Sequence, residues 1–180
     1  MKSQDILILL KLVCLEKPEY NRPVSADDYS VRGLEAALGV SKTEVNASIN
    51  RSLDVGLASR DRNSGLPRVN RKALLEFVVH GVKYVFPARP EALARGIPTG
   101  FAAPPLKSEL MSAAEYDFVW PDPKGKVMGQ SIKPLFKSVS QVAKQDECLY
   151  MLLALVDAIR LGNPREANLA AKLFEEELQD

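Results

Sequence analysis

Little in the 180-residue sequence suits a membrane or an export signal. The longest strongly apolar runs, Ile6–Leu10 and Leu149–Val156, fall far short of the roughly 18 to 20 residues that a helical span needs. Asp5 and Lys11 interrupt the N-terminus where a secretory segment needs its apolar region, so export is not expected and a cytoplasmic location is. One histidine, His80, and two cysteines, Cys14 and Cys148, are too few for a Cys/His zinc site. Both cysteines lie in apolar helical patterns, which predicts buried reduced thiols while leaving their pairing open. No catalytic motif is complete. Lys124-Gly125-Lys126 lacks the glycine spacing of a phosphate loop, and Gly129-Gln130-Ser131 lacks the last glycine of a nucleophile elbow. The sequence thus predicts a chain that is no enzyme and carries no cofactor or metal.

Hydrophobic residues make up 46% of the chain, enough for a buried core in one domain with an appendage. The net charge is only +1, but it is unevenly placed. Residues 41–72 hold seven basic side chains (Lys42, Arg51, Arg60, Arg62, Arg68, Arg71, Lys72) against three acidic ones, whereas residues 146–180 hold eight acids against three bases. A basic N-terminal part therefore faces an acidic tail.

Helical periodicity predicts a first helix over Ser3–Glu16, with Ser3 as its cap and Ile6, Leu9, Leu10 and Val13 inward. Residues 17–29, holding Pro18 and Pro23, read as a loop. A second helix spans Val31–Leu38 and ends at Gly39. Ser41 and Glu44 then have the spacing of a capping box for a third helix, with Val45, Ile49 and Leu53 inward and Gly56 at its end. Leu57–Arg62 and Pro67–Val69 flank Asn63-Ser64-Gly65 as a short hairpin. Asn70 caps a fourth helix over Arg71–His80, with His80 as a C-terminal cation.

The middle region is less regular. Val82–Phe86 reads as a strand, Arg95–Gly100 as a rigid turn, and Tyr116–Trp120 with Lys126–Ile132 as a second hairpin. Seven of the twelve prolines fall between Pro87 and Pro123, so this stretch is an irregular connector that packs on something, with Phe101, Phe118 and Trp120 among its anchors. An apolar helix over Gln145–Leu161 follows. Asn163, Pro164 and Glu166 start a last helix to Leu178, where Glu175-Glu176-Glu177 reads as a solvated end.

The order helix, helix, glycine turn, helix, hairpin, with Leu34-Glu35-Ala36-Ala37, the Leu38–Ser41 turn, the Val45/Ile49/Leu53 spacing and Gly56-Leu57 before the hairpin, resembles a winged helix-turn-helix of the kind in MarR- and Lrp-type bacterial transcriptional regulators. The resemblance covers about residues 2–82. It implies that the third helix enters the major groove of double-stranded DNA, with Lys42, Thr43, Asn46, Ala47, Asn50 and Arg51 facing outward. Ser41 and Thr43 would meet phosphates at the helix start, and Arg60, Arg62 and Arg68 on the wing would reach the neighbouring backbone or minor groove.

The expected fold is mainly α with small β elements. A winged helix-turn-helix domain (1–82) precedes an irregular Pro-rich, partly β connector (83–143) and a C-terminal helical segment (144–180). Leu149, Leu152, Leu153, Val156 and Ile159 of that segment pack either on the winged helix or on a second subunit. The expected function is a sequence-specific transcriptional regulator acting as a homodimer, with a protein partner or small ligand admitted at the C-terminal half. Two alternatives stay open: an antitoxin-type autorepressor with a protein-binding C-terminal part, and a winged-helix adaptor that binds protein only.

Overall fold

The computed structural model describes residues 1–17, 24–108 and 115–179. Residues 18–23, within the expected first loop, therefore lie outside the described residues. Helix α1 (Ser3–Glu16) is the axis of the fold. Every residue from Asp5 to Leu15 is buried, so the helix has no solvent face, and the inward stripe of four aliphatics predicted from periodicity is only part of its contact surface. Ser3 is inside the helix, not its cap. Its hydroxyl donates to the Leu135 carbonyl, while the Asp5 carboxylate accepts from the Lys2 amide at 2.8 Å.

Helices α2 (Val31–Leu38) and α3 (Lys42–Asp54) meet at Gly39. Its φ of +64° is the left-handed conformation that stops α2 and turns the chain. Strands β1 (Ala58–Arg60) and β2 (Pro67–Val69) pair antiparallel, Ala58 opposite Val69 and Arg60 opposite Pro67. Helix α4 (Arg71–His80) starts where the Asn70 side chain accepts from the Ala73 amide. These elements lie where the local signals put them, for each signal acts within a few residues.

Between Gly81 and Ser131 the structure departs from the expected elements. Val82–Val85 is not a strand but a short helix, α5. Gly81 stays in the right-handed helical region, so the chain bends without leaving helical geometry, and Phe86 packs edge-on against Phe77 at 6.4 Å. The expected rigid turn at Arg95–Gly100 is largely strand β3 (Leu93–Thr99). Strands β4 (Phe118–Pro121) and β5 (Val127–Ser131) do not form a hairpin with each other. Both pair antiparallel with β3, β4 along Gly96–Thr99 and β5 along Leu93–Gly96, and they lie parallel to one another. The three strands close into a small barrel. Glycine permits this closeness. A Cβ on Gly96 would sit 2.1 Å from the Trp120 carbonyl oxygen, and one on Gly125 2.3 Å from that of Gly96.

Helices α6 (Val139–Ala143), α7 (Glu147–Leu161) and α8 (Pro164–Gln179) complete the chain. The Asn163 side chain accepts from the amides of Arg165 and Glu166, and the Glu166 carboxylate accepts from the Asn163 amide, the reciprocal cap that α8 needs. Cys148 to Ile159 of α7 are buried save Tyr150 and Met151. The chain itself covers this helix, through α1, α8, α5 and the turn before Ala103. One buried cluster runs from α1 through α2, α3 and α4 to the barrel, α7 and α8, so residues 1–82 share their core with the rest of the chain.

A polar hub fixes the barrel to α7. Asp157, 1% exposed, accepts from Thr99 Oγ1 at 2.8 Å and Trp120 Nε1 at 2.7 Å. Its other oxygen accepts from Arg160 Nε at 2.8 Å. Arg160 in turn donates to the carbonyls of Phe86 and Lys133. A buried carboxylate is tolerable only when so satisfied. Tyr150, whose hydroxyl donates to the Pro98 carbonyl at 2.6 Å, has its pKa pushed up to about 12 by burial.

The cysteines also depart from expectation. Cys14 on α1 and Cys148 on α7 are joined in a disulfide across a sequence separation of 134. Periodicity placed both thiols in apolar helix faces; only packing α1 on α7 brings them together. In the chain-entropy model a loop of that length stabilises the fold by about 4–5 kcal/mol. Thiol titration of denatured, unreduced protein is therefore expected to find no free thiol, and reductant to lower the melting temperature by about 10 °C. Two titratable thiols and an unchanged melting temperature would contradict the linkage.

Candidate nucleic-acid interface

The outer face of α3 is determined by what its inner face must do. Val45, Ser48, Ile49 and Ser52 are buried and Leu53 is half-buried. At about 100° per residue, this leaves Lys42, Asn46 and Asn50, four residues apart, as one stripe with Thr43 beside it. All four are exposed, as is Ser41, and Ala47 is half-buried at the edge of the stripe. No other segment of the described chain buries this face.

Two features of the helix start differ from expectation. Ser41 and Glu44 form no capping box: the Ser41 side chain makes no cap hydrogen bond. Glu35 on α2 takes that place, accepting from the Lys42 amide at 3.3 Å and facing Lys42 Nζ at 3.7 Å. Glu44 is drawn to the start of α1, where Lys2 Nζ donates to it at 3.1 Å and Gln4 Nε2 also donates. The hydrogen bond from Lys2 holds the Glu44 carboxyl below its usual pKa. Attraction between distant elements outweighs the local cap because a full charge meets the glutamate there.

Arg51 does not face outward. It lies back across α1, donating from Nε at 2.9 Å and from a terminal nitrogen at 2.6 Å to the two oxygens of Asp5, with Glu44 3.6 Å away. Asp5 is 0% exposed. Burial by itself would raise its pKa, but the Arg51 hydrogen bonds, aided by the Lys2 amide, outweigh it and hold the carboxyl low. The same bonds push the Arg51 pKa upward. The physical reason for the correction is that Asp5, a charge on a helix without a solvent face, needs a bidentate cation, and Arg51 is in reach.

The hairpin carries the other cations. Arg60, Arg62 and Arg68 are all exposed. Arg60 donates to the Gly65 carbonyl at 3.1 Å, which leaves its charge unmatched. Arg62 has no ion-pair partner among the described residues. Arg68 faces Asp61 at 3.2 Å, and the Ser64 amide and hydroxyl with the Asn63 amide hold the Asp61 carboxyl below the usual range. Asp61 thus organises the hairpin tip, accepting from both amides.

One neighbour of the site has no signal in the residues around it. The segment before α6 lies against the α2–α3 turn: Ser138 Oγ donates to the Leu38 carbonyl, and a Cβ on Gly39 would touch the Ser138 side chain at 3.5 Å. Exposed Lys137 and half-buried Phe136 line a groove of about 430 Å³ with Lys2, Gln4, Val40 and Ser41. Among the described residues no cluster of three or more His, Cys, Asp or Glu is placed to hold a metal, and no helix is long and apolar enough to cross a membrane. His80 is exposed at the end of α4. Glu177, expected as part of a solvated end, pairs with the buried Lys17.

No protein-family model, no curated protein and no solved structure matches the chain.

The geometry separates Asn50 from Arg51. Arg51→Ala is expected to destabilise the fold by about 2–3 kcal/mol, less than a fully buried pair because Arg51 still reaches solvent. The Asp5 carboxyl is depressed in the fold, so its contribution is present above the unfolded carboxylate pKa near ~4 and is lost as pH falls through the folded value. Denaturant melts should show the wild-type-to-variant gap in full at pH 7 and closing in acid. Asn50→Ala should melt like the wild type at both. A gap that widened in acid would contradict the pairing.

Proposed function

We propose that the protein is a sequence-specific double-stranded DNA-binding transcriptional regulator that acts as a homodimer through a winged helix-turn-helix within residues 1–82. The observation that carries this reading is the uncovered stripe of Lys42, Asn46 and Asn50 with Thr43, on a helix held by its opposite face. Asparagine side chains can pair bidentately with adenine, and Ala47 or the Thr43 methyl can meet a thymine methyl. Ser41 and the helix start supply donors to phosphate. Arg60 and Arg62 supply flanking cations, and Arg68 a third that must be shared with Asp61. Arg51 has no base-reading part in this scheme. One such helix reads few base pairs, and two-fold pairing supplies two half-sites. A cytoplasmic location belongs to this reading, but the Cys14–Cys148 disulfide counts against it, because such bonds persist mainly in oxidising compartments.

One observation favours the adaptor reading instead. Lys42, Arg51 and Arg68 each face an acidic side chain of the same chain, which leaves the surface less positive than its composition suggests.

Fluorescence anisotropy with the DNA upstream of the gene and with random duplex, at several salt concentrations, separates the two. The regulator reading expects preference for the upstream duplex and affinity that falls steeply with salt. Asn50→Ala should cost about 1–3 kcal/mol and relax the preference, while Arg62→Ala should reduce the salt slope by about one with the preference intact. Folded protein that binds neither duplex at low salt would overturn the proposal in favour of the adaptor.

A further inference from the structure

The outer face of the three-stranded barrel is covered at one end only. Leu93, Arg95, Ile97 and Thr99 alternate along β3 and so share that face. At the Thr99 end α7 lies across it. Thr99 and Trp120, which stands opposite Ile97, both donate to Asp157, and Tyr150 meets the Trp120 ring at 5.8 Å. Towards Leu93 the same face is bare. Met128, opposite Arg95, and Leu93, opposite Gln130, are 56% and 52% exposed.

Cations gather beside these two side chains. Arg95, Lys124, Lys126 and Lys144 are all exposed, and the turn from β4 to β5 brings them to one corner. The Asp122 amide donates to the Arg95 carbonyl at 3.0 Å, Arg95 also donates to the Gly125 carbonyl at 3.4 Å, and Lys144 Nζ meets the Asp122 carboxylate at 2.6 Å. Lys144 thus takes the carboxylate of the turn, and Arg95, Lys124 and Lys126 have no ion-pair partner among the described residues. Glu91 and Asp117 lie at the other end, where the Glu91 amide donates to the Ser131 carbonyl and the Asp117 carbonyl accepts from the Gln130 amide. The bare face therefore joins exposed aliphatic carbon to three unmatched positive charges.

The pairing of the two features selects the occupant. A phosphate backbone matches the cations but leaves Leu93 and Met128 against a charged surface. A second copy of this chain has an acidic helix in α8, with Glu175 and Glu176 exposed, but the apolar residues of that helix, Ala170, Phe174 and Leu178, are buried in its own core. An amphipathic helix with free aliphatic and acidic faces satisfies both features, and Met and Arg are residue types that interfaces favour. We infer that this face docks an acidic amphipathic helix of a different protein, its aliphatic side chains on Leu93 and Met128 and its carboxylates on Arg95, Lys124 and Lys126. The docked helix continues over the barrel the layer that α7 begins. The surface lies apart from the α3 stripe, and its occupancy does not depend on DNA binding.

Fluorescence anisotropy of the full chain with a labelled helical peptide of leucine and glutamate, its leucines along one face, tests the surface. The peptide should bind with a Kd on the order of 10–100 µM. Replacing its leucines by alanine, or its glutamates by glutamine, should weaken binding at least about ten-fold. Met128→Ala should cost about five-fold and Lys126→Glu about ten-fold. Both positions are exposed, and a thermal melt like the wild type's checks that each variant is folded. Lys172→Glu, which removes an exposed cation on α8, should bind as the wild type does. No binding to folded protein at about 1 mM peptide, or binding indifferent to both Met128→Ala and Lys126→Glu, would overturn the inference. So would random duplex that displaces the peptide and is weakened by Lys126→Glu but not by Met128→Ala, which marks a nucleic-acid surface, or a dimer in sedimentation that Met128→Ala dissociates, which marks a second copy.

Discussion

Taking a charge out of water costs several kcal/mol unless an opposite charge is waiting, and α1 buries charges along its whole length. It has no face to turn toward solvent, so each polar residue on it dictates what must pack there. Asp5 takes Arg51 of α3. Lys11 meets Asp146 at the start of α7 at 2.7 Å. Glu16 meets Arg71 of α4, Lys17 meets Glu177 of α8, and Cys14 is linked to Cys148 of α7. Four helices are thus keyed to α1 by specific polar or covalent partners, and Ile6–Leu10 fills the space between them. The aliphatic burial supplies most of the driving force, at roughly 1.5–3 kcal/mol per large side chain. The charges add register, because a helix rotated by a fraction of a turn would strand one of them.

This constraint explains why the outward face of α3 is narrower than residue type suggests. The helix is gripped on its inner side by Val45 and Ile49 and on one flank by the Asp5–Arg51–Glu44 cluster. What stays open is the stripe through Lys42, Asn46 and Asn50. The hairpin is anchored by buried Leu57, Ala58 and Val69, and its other side leaves Arg60 and Arg62 in solvent. In the proposed reading, the seated helix would present the base-reading groups and the basic hairpin beside it the phosphate-contacting ones.

The legible parts of the fold were those set by neighbours in sequence. Gly39 needs its left-handed turn, Asn70 and Asn163 cap the next helix through amides two or three residues on, and the α2–α3–hairpin order follows from such signals. The mainly helical class with small sheets was readable for the same reason. The barrel was not. Its pairing joins β3 to strands a long way off in sequence, Thr99 to Phe118 at the nearest and Leu93 to Gln130 at the farthest, and the closeness required of Gly96 and Gly125 leaves no periodic trace. The capping box at Ser41 had correct spacing, but Glu44 had a stronger partner forty-two residues away in Lys2. Arg51 looked outward by residue type because nothing in its own helix announces that Asp5 lies opposite. The disulfide was hidden likewise, two apolar-looking cysteines becoming partners only when α1 packs on α7. Of the candidate interface, the stripe on α3 was readable from helical spacing, and the ion pairs that trim its charge were not.

Backbone amide NMR of the full chain, titrated with a short random duplex at low salt, tests whether the α3 stripe and the hairpin meet DNA as proposed. A DNA-binding face of the kind proposed predicts shift changes at Lys42, Thr43, Asn46 and Asn50 and along Arg60–Arg68, with Asp5 and Arg51 keeping their free-state signals because their pair is structural. Changes confined to other surfaces, or none at saturating DNA, would contradict it.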